Sequence, residues 1–468
     1  MPRVADATTP LLDLAGAARR IHVVGIGGAG MRAIASILVA MGHQVSGSDM
    51  KPSSGLDRLR AAGIDVRVGH DRTTVADVGA EVVAVSTAIP DSNPEVVAAR
   101  QAGVPVLSRA EVLAALTRLR RTVSVSGTHG KTTTTTMLAL VLVEAGLAPS
   151  FVIGGDVNEI GTGAVWDTGE LFVVEADESD GTFVELSTDL AVVTNVEADH
   201  LDHYGDLTAI EGAFDRFVAS ARQALVCLDE PNAAALARRH STLTYGTAPE
   251  ATYRLVEVAV DRVGTRFTVE HHGARLGTVD MPIPGLHNAR NATAAIAAAA
   301  LVGAPFEAAA AALSRYAGVA RRYQFRGQAG GATVVDDYAH NPGKVAAVVS
   351  TAAQGGWGRV IAVFQPHRYS RTEDLGRDFG GSFEGADLVV VTDVDGAGER
   401  PRPGITGQLV ADAVVAADPT RAVVYIPDRA DLLAFLTEEL GAGDLCLTLG
   451  AGDITLLPDE ILARIGQP

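Results

Sequence analysis

Gly127-Thr128-His129-Gly130-Lys131-Thr132-Thr133 follows an apolar run, Thr122–Val125, and precedes a helical pattern running from about Thr132 to Ala145. Successive backbone N–H groups in such a turn can wrap a phosphate. The Lys131 ammonium can reach β/γ oxygens, and the Thr132 hydroxyl can face Mg²⁺. The loop is shorter than the standard phosphate loop, whose earlier glycine is replaced here by Val125. Of the 38 basic residues only Lys51, Lys131 and Lys344 are lysines, so a lysine inside this glycine-rich turn is not an accident of composition.

A second turn, Gly25-Ile26-Gly27-Gly28-Ala29-Gly30, also lies between a strand pattern and a helix, and Asp49 ends the next strand. Its glycines can admit a diphosphate to the backbone at a helix N-terminus, as in a dinucleotide site. The turn alone does not separate NAD from a UDP-linked ligand, and a tight turn with no ligand has the same pattern. Glu175, Asp177, Glu178 and Asp180 end a buried run, and Asp199-His200 follow the next one. Taken alone these acids are a solvated loop; beside a nucleotide loop they are candidate Mg²⁺ ligands, with the imidazole a further donor. Two more strand ends carry polar clusters, Asp336-Asp337-Tyr338-Ala339-His340-Asn341-Pro342 and Gln365-Pro366-His367-Arg368-Tyr369-Ser370-Arg371-Thr372. The second packs a His, two Arg and a Tyr together in an acidic protein, which predicts an anion site. Arg321-Arg322 precede the first, and as a surface pair would mean little.

Short apolar runs alternating with helical patterns must position these groups, the signature of parallel sheets with crossover helices. Ile21–Val24, Gln44–Gly47, Val82–Val85 and Val104–Leu107 read as strands of a first unit. Thr122–Val125, Leu171–Glu175, Ala191–Asn195 and Ala224–Leu228 belong to a second. Thr252–Val260, Thr265–Glu270 and Arg275–Met281 alternate at period two and predict an antiparallel meander beside it. Alanine-rich helices are expected over His287–Val302 and Pro305–Tyr316. Thr333–Asp337, Val360–Phe364, Leu388–Thr392, Val423–Ile426 and Leu445–Leu449 make a third unit. The expected fold class is α/β with three domains. They are a Rossmann-like domain at 1–120, a central P-loop-type sheet with a small antiparallel appendage at 121–330, and a second Rossmann-like domain at 331–468.

Length and composition agree with this division. The chain has 468 residues, 47% hydrophobic and 20% charged, enough for about three domains and unlike a disordered chain. A net charge of −18 argues against nucleic acid or an anionic membrane as partner. Cys227 and Cys446 offer neither a disulfide framework nor a metal motif. No run of 18 apolar residues occurs, and the first residues, with Asp6 and Asp13, do not read as a signal peptide. A cytoplasmic protein, monomeric or homodimeric, is expected.

The whole set resembles the Mur ligases of peptidoglycan synthesis, over nearly the full chain. The likeness runs through VGIGGAGM at 24–31, GSD at 47–49, GTHGKTTTT at 127–135, EADESD at 175–180 and NVEADHLDHY at 195–204. It continues through GLHNARNATAA at 285–295, DDYAHNP at 336–342, FQPHRYSRT at 364–372 and GAGD at 450–453. The GGAGM turn and FQPHRYSRT are similar to the alanine-adding branch. The resemblance implies an ATP- and Mg²⁺-dependent ligase that joins L-alanine to UDP-N-acetylmuramate through an acyl phosphate, in the service of cell-wall synthesis. It assigns the UDP-sugar to Gly25, Gly27, Gly28 and Gly30, with Asp49, His70 and Ser86 nearby. ATP falls to Gly127, Thr128, His129, Gly130, Lys131, Thr132 and Thr133, with Asn291 on the adenosine side, Arg322 at the γ-phosphate and Asp337 at the ribose. Two Mg²⁺ fall to Thr132, Glu175 and His200. Tyr338, His340, His367, Arg368 and Arg371 would gather alanine and the muramyl carboxylate, with His340 as candidate base beside the catalytic Lys131 and Arg322. The chain departs from the pattern at Ala339 and Asn341, where related sequences read Gly and His, and at Asp395, commonly a Tyr. No lysine lies between 132 and 343 to match the carbamylated lysine of some sister ligases. A ligase for another amino acid or peptide stays open on this reading. So does an NAD(P)-dependent oxidoreductase, which leaves the Gly-Lys-Thr loop unexplained, and a P-loop regulator hydrolysing ATP.

Overall fold

The computed structural model describes residues 14–157, 160–316, 318 and 321–466. The stretch holding Asp6 and Asp13 lies outside the described residues. Three sheets carry the fold, in two compact units. One unit runs to Leu255 and includes Val269–Gly277 and Asn291–Ala312; the other takes Val256–Thr268, Thr278–Arg290 and the chain from Leu313.

The first sheet orders its strands Asp65–Val68, Gln44–Asp49, Arg20–Val24, Val82–Val85 and Val106–Ser108, all parallel. Strand order reverses beside Arg20–Val24, so the glycine turn that follows Val24 sits at the switch point where such sheets bind ligands. The second sheet has ten strands. Its central strand, Arg121–Ser126, lies between Leu171–Glu175 and Leu190–Val193, parallel to both. The Gly-Lys-Thr loop, the Glu175 acids and the segment leading to His200 therefore leave three adjacent strands at the same end. The expected meander is present as the edge strands Tyr253–Val260, Thr265–His271 and Ala274–Met281.

The third sheet orders Gln324–Ala329, Ala332–Asp337, Leu445–Leu449, Val360–Phe364, Leu388–Val391 and Ala422–Tyr425. Only the first pair is antiparallel. Both faces are buried: Val335, Phe364 and Val389 pack under one layer with Val345 and Val414, while Val334, Ile361 and Val390 meet Leu432 and Leu457 on the other. Such two-sided burial is why these strands read as continuous apolar runs. Among the described residues no helix is long and apolar enough to cross a membrane.

The helix Lys131–Glu144 behind the Gly-Lys-Thr loop is unusual in composition. Thr132 to Thr136 are consecutive, and all five are buried. Thr135 Oγ1 donates back to the Lys131 carbonyl at 2.8 Å, a bond that competes with helix geometry rather than reinforcing it. Packing, not propensity, holds this helix.

Candidate active site

The loop after Ser126 has its shape fixed by its neighbours. Gly127 has φ +137° and Gly130 φ +80°, both in the region that favours glycine. The His129 N–H donates to Asn195 Oδ1 at 2.8 Å, and Asn195 Nδ2 returns a bond to the His129 carbonyl at 3.1 Å. The Thr194 hydroxyl also donates to that carbonyl, and His129 Nε2 lies 2.9 Å from Glu197 Oε2. A Cβ on Gly127 would overlap the Thr194 hydroxyl, and one on Gly130 would stand 2.6 Å from Asn291 Oδ1. Gly127→Ala is therefore expected to raise the KM for ATP by at least about tenfold, since the loop must shift in the φ region where alanine is strained. Steady-state kinetics with varied ATP checks it.

Lys131 Nζ donates to the Gly127 carbonyl at 2.7 Å and lies 2.7 Å from Glu178 Oε2, with Asp177 Oδ1 at 3.9 Å. Burial works against the ammonium, but Glu178 and Asp177 beside it outweigh burial and hold its pKa above the usual lysine value. Burial pushes Glu178 up, opposed by Lys131. Asp177 is lowered against its burial, chiefly by Lys131. Thr132 Oγ1 donates to Glu175 Oε1 at 2.8 Å, and the other Glu175 oxygen accepts from the Gly154 N–H at 2.6 Å. His200, in the left-handed region at φ +53°, has its Nε2 3.7 Å from Glu178 Oε1. The structure thus brings Lys131, Thr132, Glu175, Asn291 and His200 to one loop, with His200 nearer Glu178 than expected.

Among the described residues no three His, Cys, Asp or Glu side chains converge tightly enough to hold a metal by themselves. The hard-oxygen pair Thr132–Glu175 suits Mg²⁺, which keeps waters and takes phosphate oxygens besides one or two protein ligands.

At the other turn the Gly25 N–H donates to the Ser48 carbonyl at 2.8 Å, and the Gly27 N–H donates to Asp49 Oδ2 at 2.9 Å. The carboxylate that a dinucleotide reading would send to a ribose is engaged by the turn itself. Ser86 lies against Gly25, within 3.0 Å of where its Cβ would stand. His70 turns inward: its Nδ1 is 3.0 Å from Ser48 Oγ and 3.1 Å from Glu95 Oε2. Glu95 and His22 are fully buried, with His22 Nε2 3.6 Å from Glu95 Oε2. Burial would raise the Glu95 pKa, but the neighbouring His22 imidazole and the hydrogen bond from the Ser48 hydroxyl pull it down to about 2. This buried cluster was not legible in the sequence, because a lone His in an apolar strand and a Glu near a helix start carry no motif.

The third sheet gathers the remaining groups within its own unit. Asp337 accepts from the Tyr323 and Ala339 N–H groups, both at 2.7 Å, and its burial raises its pKa against the pull of Arg322. Arg321 and Arg322 both stack on the Tyr338 ring, at 4.8 and 5.3 Å. His340 Nδ1 lies 2.8 Å from the Tyr338 carbonyl, which only accepts, so Nδ1 carries the proton and Nε2 the lone pair. The His340 ring centre is 6.0 Å from that of His367. Arg371 lies beside His367, and burial together with Arg371 lowers the His367 pKa. Arg368, at φ +68°, is exposed and donates its N–H to the Asp395 carbonyl at 2.7 Å. Asp395 also ties three loops: its carboxylate takes the Ala397 and Asp453 N–H groups. Asn341 caps the helix Pro342–Ala353 by accepting from the Lys344 N–H at 3.0 Å, and Ala339 is fully buried. All three departures thus have structural roles.

Family models match all three sheets: the Mur ligase family catalytic domain at 20–121, the Mur ligase middle domain at 125–299, and the Mur ligase glutamate ligase domain at 321–452. The chain is 43% identical over 455 residues to UDP-N-acetylmuramate–L-alanine ligase of Pelotomaculum thermopropionicum, covering 96% of this chain and 98% of that one. It is 46% identical to the enzyme of that name from Acidothermus cellulolyticus, covering 95% and 94%. The crystal structure of UDP-N-acetylmuramate–alanine ligase from Thermotoga maritima superposes with a TM-score of 0.78 at 29% identity, covering 95% of this chain and 99% of that one. Matched along almost its whole length by the three domain models and by these relatives, the chain belongs to the Mur ligase family.

Proposed function

We propose that this protein joins L-alanine to the carboxylate of UDP-N-acetylmuramate, cleaving ATP to ADP and phosphate through an acyl phosphate. The observation that carries the reading is the Lys131–Thr132–Glu175 arrangement at the end of three parallel strands. The names of full-length relatives at 43% and 46% identity support the choice of substrates. A muramyl carboxylate oxygen attacks the γ-phosphorus and ADP leaves. The alanine amine then attacks the acyl carbon and phosphate leaves. Two unit charges at 4 Å repel by about 4 kcal/mol at an effective dielectric of about 20, so the first attack needs concentrated positive charge. Lys131 supplies it from the loop after Ser126, and Arg322 is a further cation of the chain that would act on the γ-phosphate. Bound Mg²⁺, with Thr132, Glu175 and His200 as its protein ligands, would neutralise phosphate charge. The lone pair on His340 Nε2 can take the proton that the alanine ammonium must lose. His367, Arg368 and Arg371 offer charge to a carboxylate. We place the domain limits near residues 120 and 330, and the protein in the cytoplasm.

Phosphate release from ATP tests this directly. Release is expected only with UDP-N-acetylmuramate and alanine both present, and other amino acids in a panel are expected to give less. Release without the sugar nucleotide would favour a nucleotide-driven regulator. A change in NADH absorbance instead would favour an oxidoreductase.

A further inference from the structure

Arg109 opens the helix Arg109–Thr117, whose start is fixed by a capping box between Ser108 and Glu111. Its guanidinium lies close against the first glycine turn: a Cβ on Gly30 would stand 2.7 Å from Arg109 Nε and 3.1 Å from its Cζ. Gly30 is in the first turn of the helix Ala29–Ala40, whose cap residue Gly28 offers no side-chain cap. The orphan N–H donors of that turn and the guanidinium thus stand side by side. Arg109 makes no hydrogen bond and no ion pair within 4 Å among the described residues, although it is only partly exposed. It lines a small cleft with Asp177, Asp180 and Thr182. Those acids are engaged locally: Asp177 accepts from the Ser179 hydroxyl at 2.8 Å, and Asp180 from the Thr182 N–H at 3.1 Å. An arginine held against a glycine turn, sharing its field with Asp177 but hydrogen-bonded to no acid, is arranged for an external anion.

We propose that Arg109 is the side-chain cation of the UDP-sugar site and takes a phosphate oxygen of the diphosphate lying on the Gly25–Gly30 turn. This rests on the reading of that turn as the UDP-sugar site. Gly30 is then glycine for two reasons, the approach of the diphosphate and the approach of the guanidinium. The flat fork of arginine can give two parallel N–H bonds to a phosphate, which lysine cannot.

Titration calorimetry with UDP and with UDP-N-acetylmuramate tests the proposal. Wild-type protein is expected to bind both. Arg109→Gln is expected to weaken both by about tenfold to a hundredfold, the effect of losing one charge-assisted pair. The KM for ATP and the thermal midpoint should stay near wild type, and Arg109→Lys should fall between. Gly30→Ala, which displaces the guanidinium by a different route, should lose affinity similarly. If wild-type protein binds neither ligand, the UDP-sugar reading itself fails. If it binds both and Arg109→Gln binds them equally well, only the Arg109 assignment is overturned. A loss confined to UDP-N-acetylmuramate, with UDP unaffected, would also overturn it, because the anion contacted would then be on the sugar.

Discussion

Lys131→Ala is expected to lower kcat/KM for alanine-dependent phosphate release by at least ~10²-fold, the scale of one charge-stabilising group in the transition state. The ammonium is the one lysine cation between residues 52 and 343, and its nearest groups are the Gly127 carbonyl and the Glu178 and Asp177 carboxylates. Removing it also leaves Glu178 buried without its cation, which costs about 3–5 kcal/mol by analogy with other broken buried pairs. The two effects separate in the double variant. Lys131→Ala with Glu178→Gln should recover much of the thermal midpoint and none of the turnover. Near-wild-type turnover in the single variant would remove the loop from the mechanism.

Glu95→Ala should be strongly destabilising to the helix and strands around the first sheet. Glu95 is fully buried and collects the Ser48 hydroxyl, His70 Nδ1 and the neighbouring His22. It also sits in the first turn of the helix Pro94–Gln101, where a negative charge meets the positive end of the helix. A carboxyl held at about pH 2 in the folded chain, against ~4.3 unfolded, stabilises the folded state by about 3 kcal/mol at neutral pH. Because the folded value is the lower one, that contribution is complete above the unfolded pKa and is lost as pH falls through about 4 towards 2. Calorimetric unfolding of wild-type protein and Glu95→Gln should therefore diverge most at pH 6–7 and converge near pH 2. A pH-independent difference would mean that packing, not charge, gives Glu95 its weight.

The legible parts of this protein are those where one residue type has one physical reason to be present. Gly127 and Gly130 could be read because a glycine-rich turn between strand and helix marks positive φ, which both adopt, and Lys131 stood out because lysine is scarce in this chain. The two-sided burial of Val360–Phe364 and Leu445–Leu449 made them continuous apolar runs. The strand Gln324–Ala329 was not read, since no residue in it is fully buried and its alternation points nowhere. Ser150–Val157 was missed as a strand because Gly154 and Gly155 interrupt it, although Gly154 is where the Glu175 carboxylate finds its second donor. Asp65–Val68 has one buried residue and also gave no pattern. Asp49 was read as lying near a sugar nucleotide, and its carboxylate accepts from the Gly27 N–H, a partner that the sequence did not show. Arg109 carried no signal at all, for its significance comes from Gly30, some eighty positions earlier, and only folding brings them together.

The row of threonines from 132 to 136 has a consequence for how the Gly-Lys-Thr loop comes into being. β-Branched residues resist helix formation in isolation, so this segment will not hold its shape while the chain is still emerging from a ribosome. Its supports arrive late: Asn195 trails Lys131 by more than sixty residues and Asn291 by more than a hundred and fifty. A nascent chain released before Asn291 would carry every glycine of the loop and the lysine too, yet lack the side chain that stands against Gly130 in the folded protein.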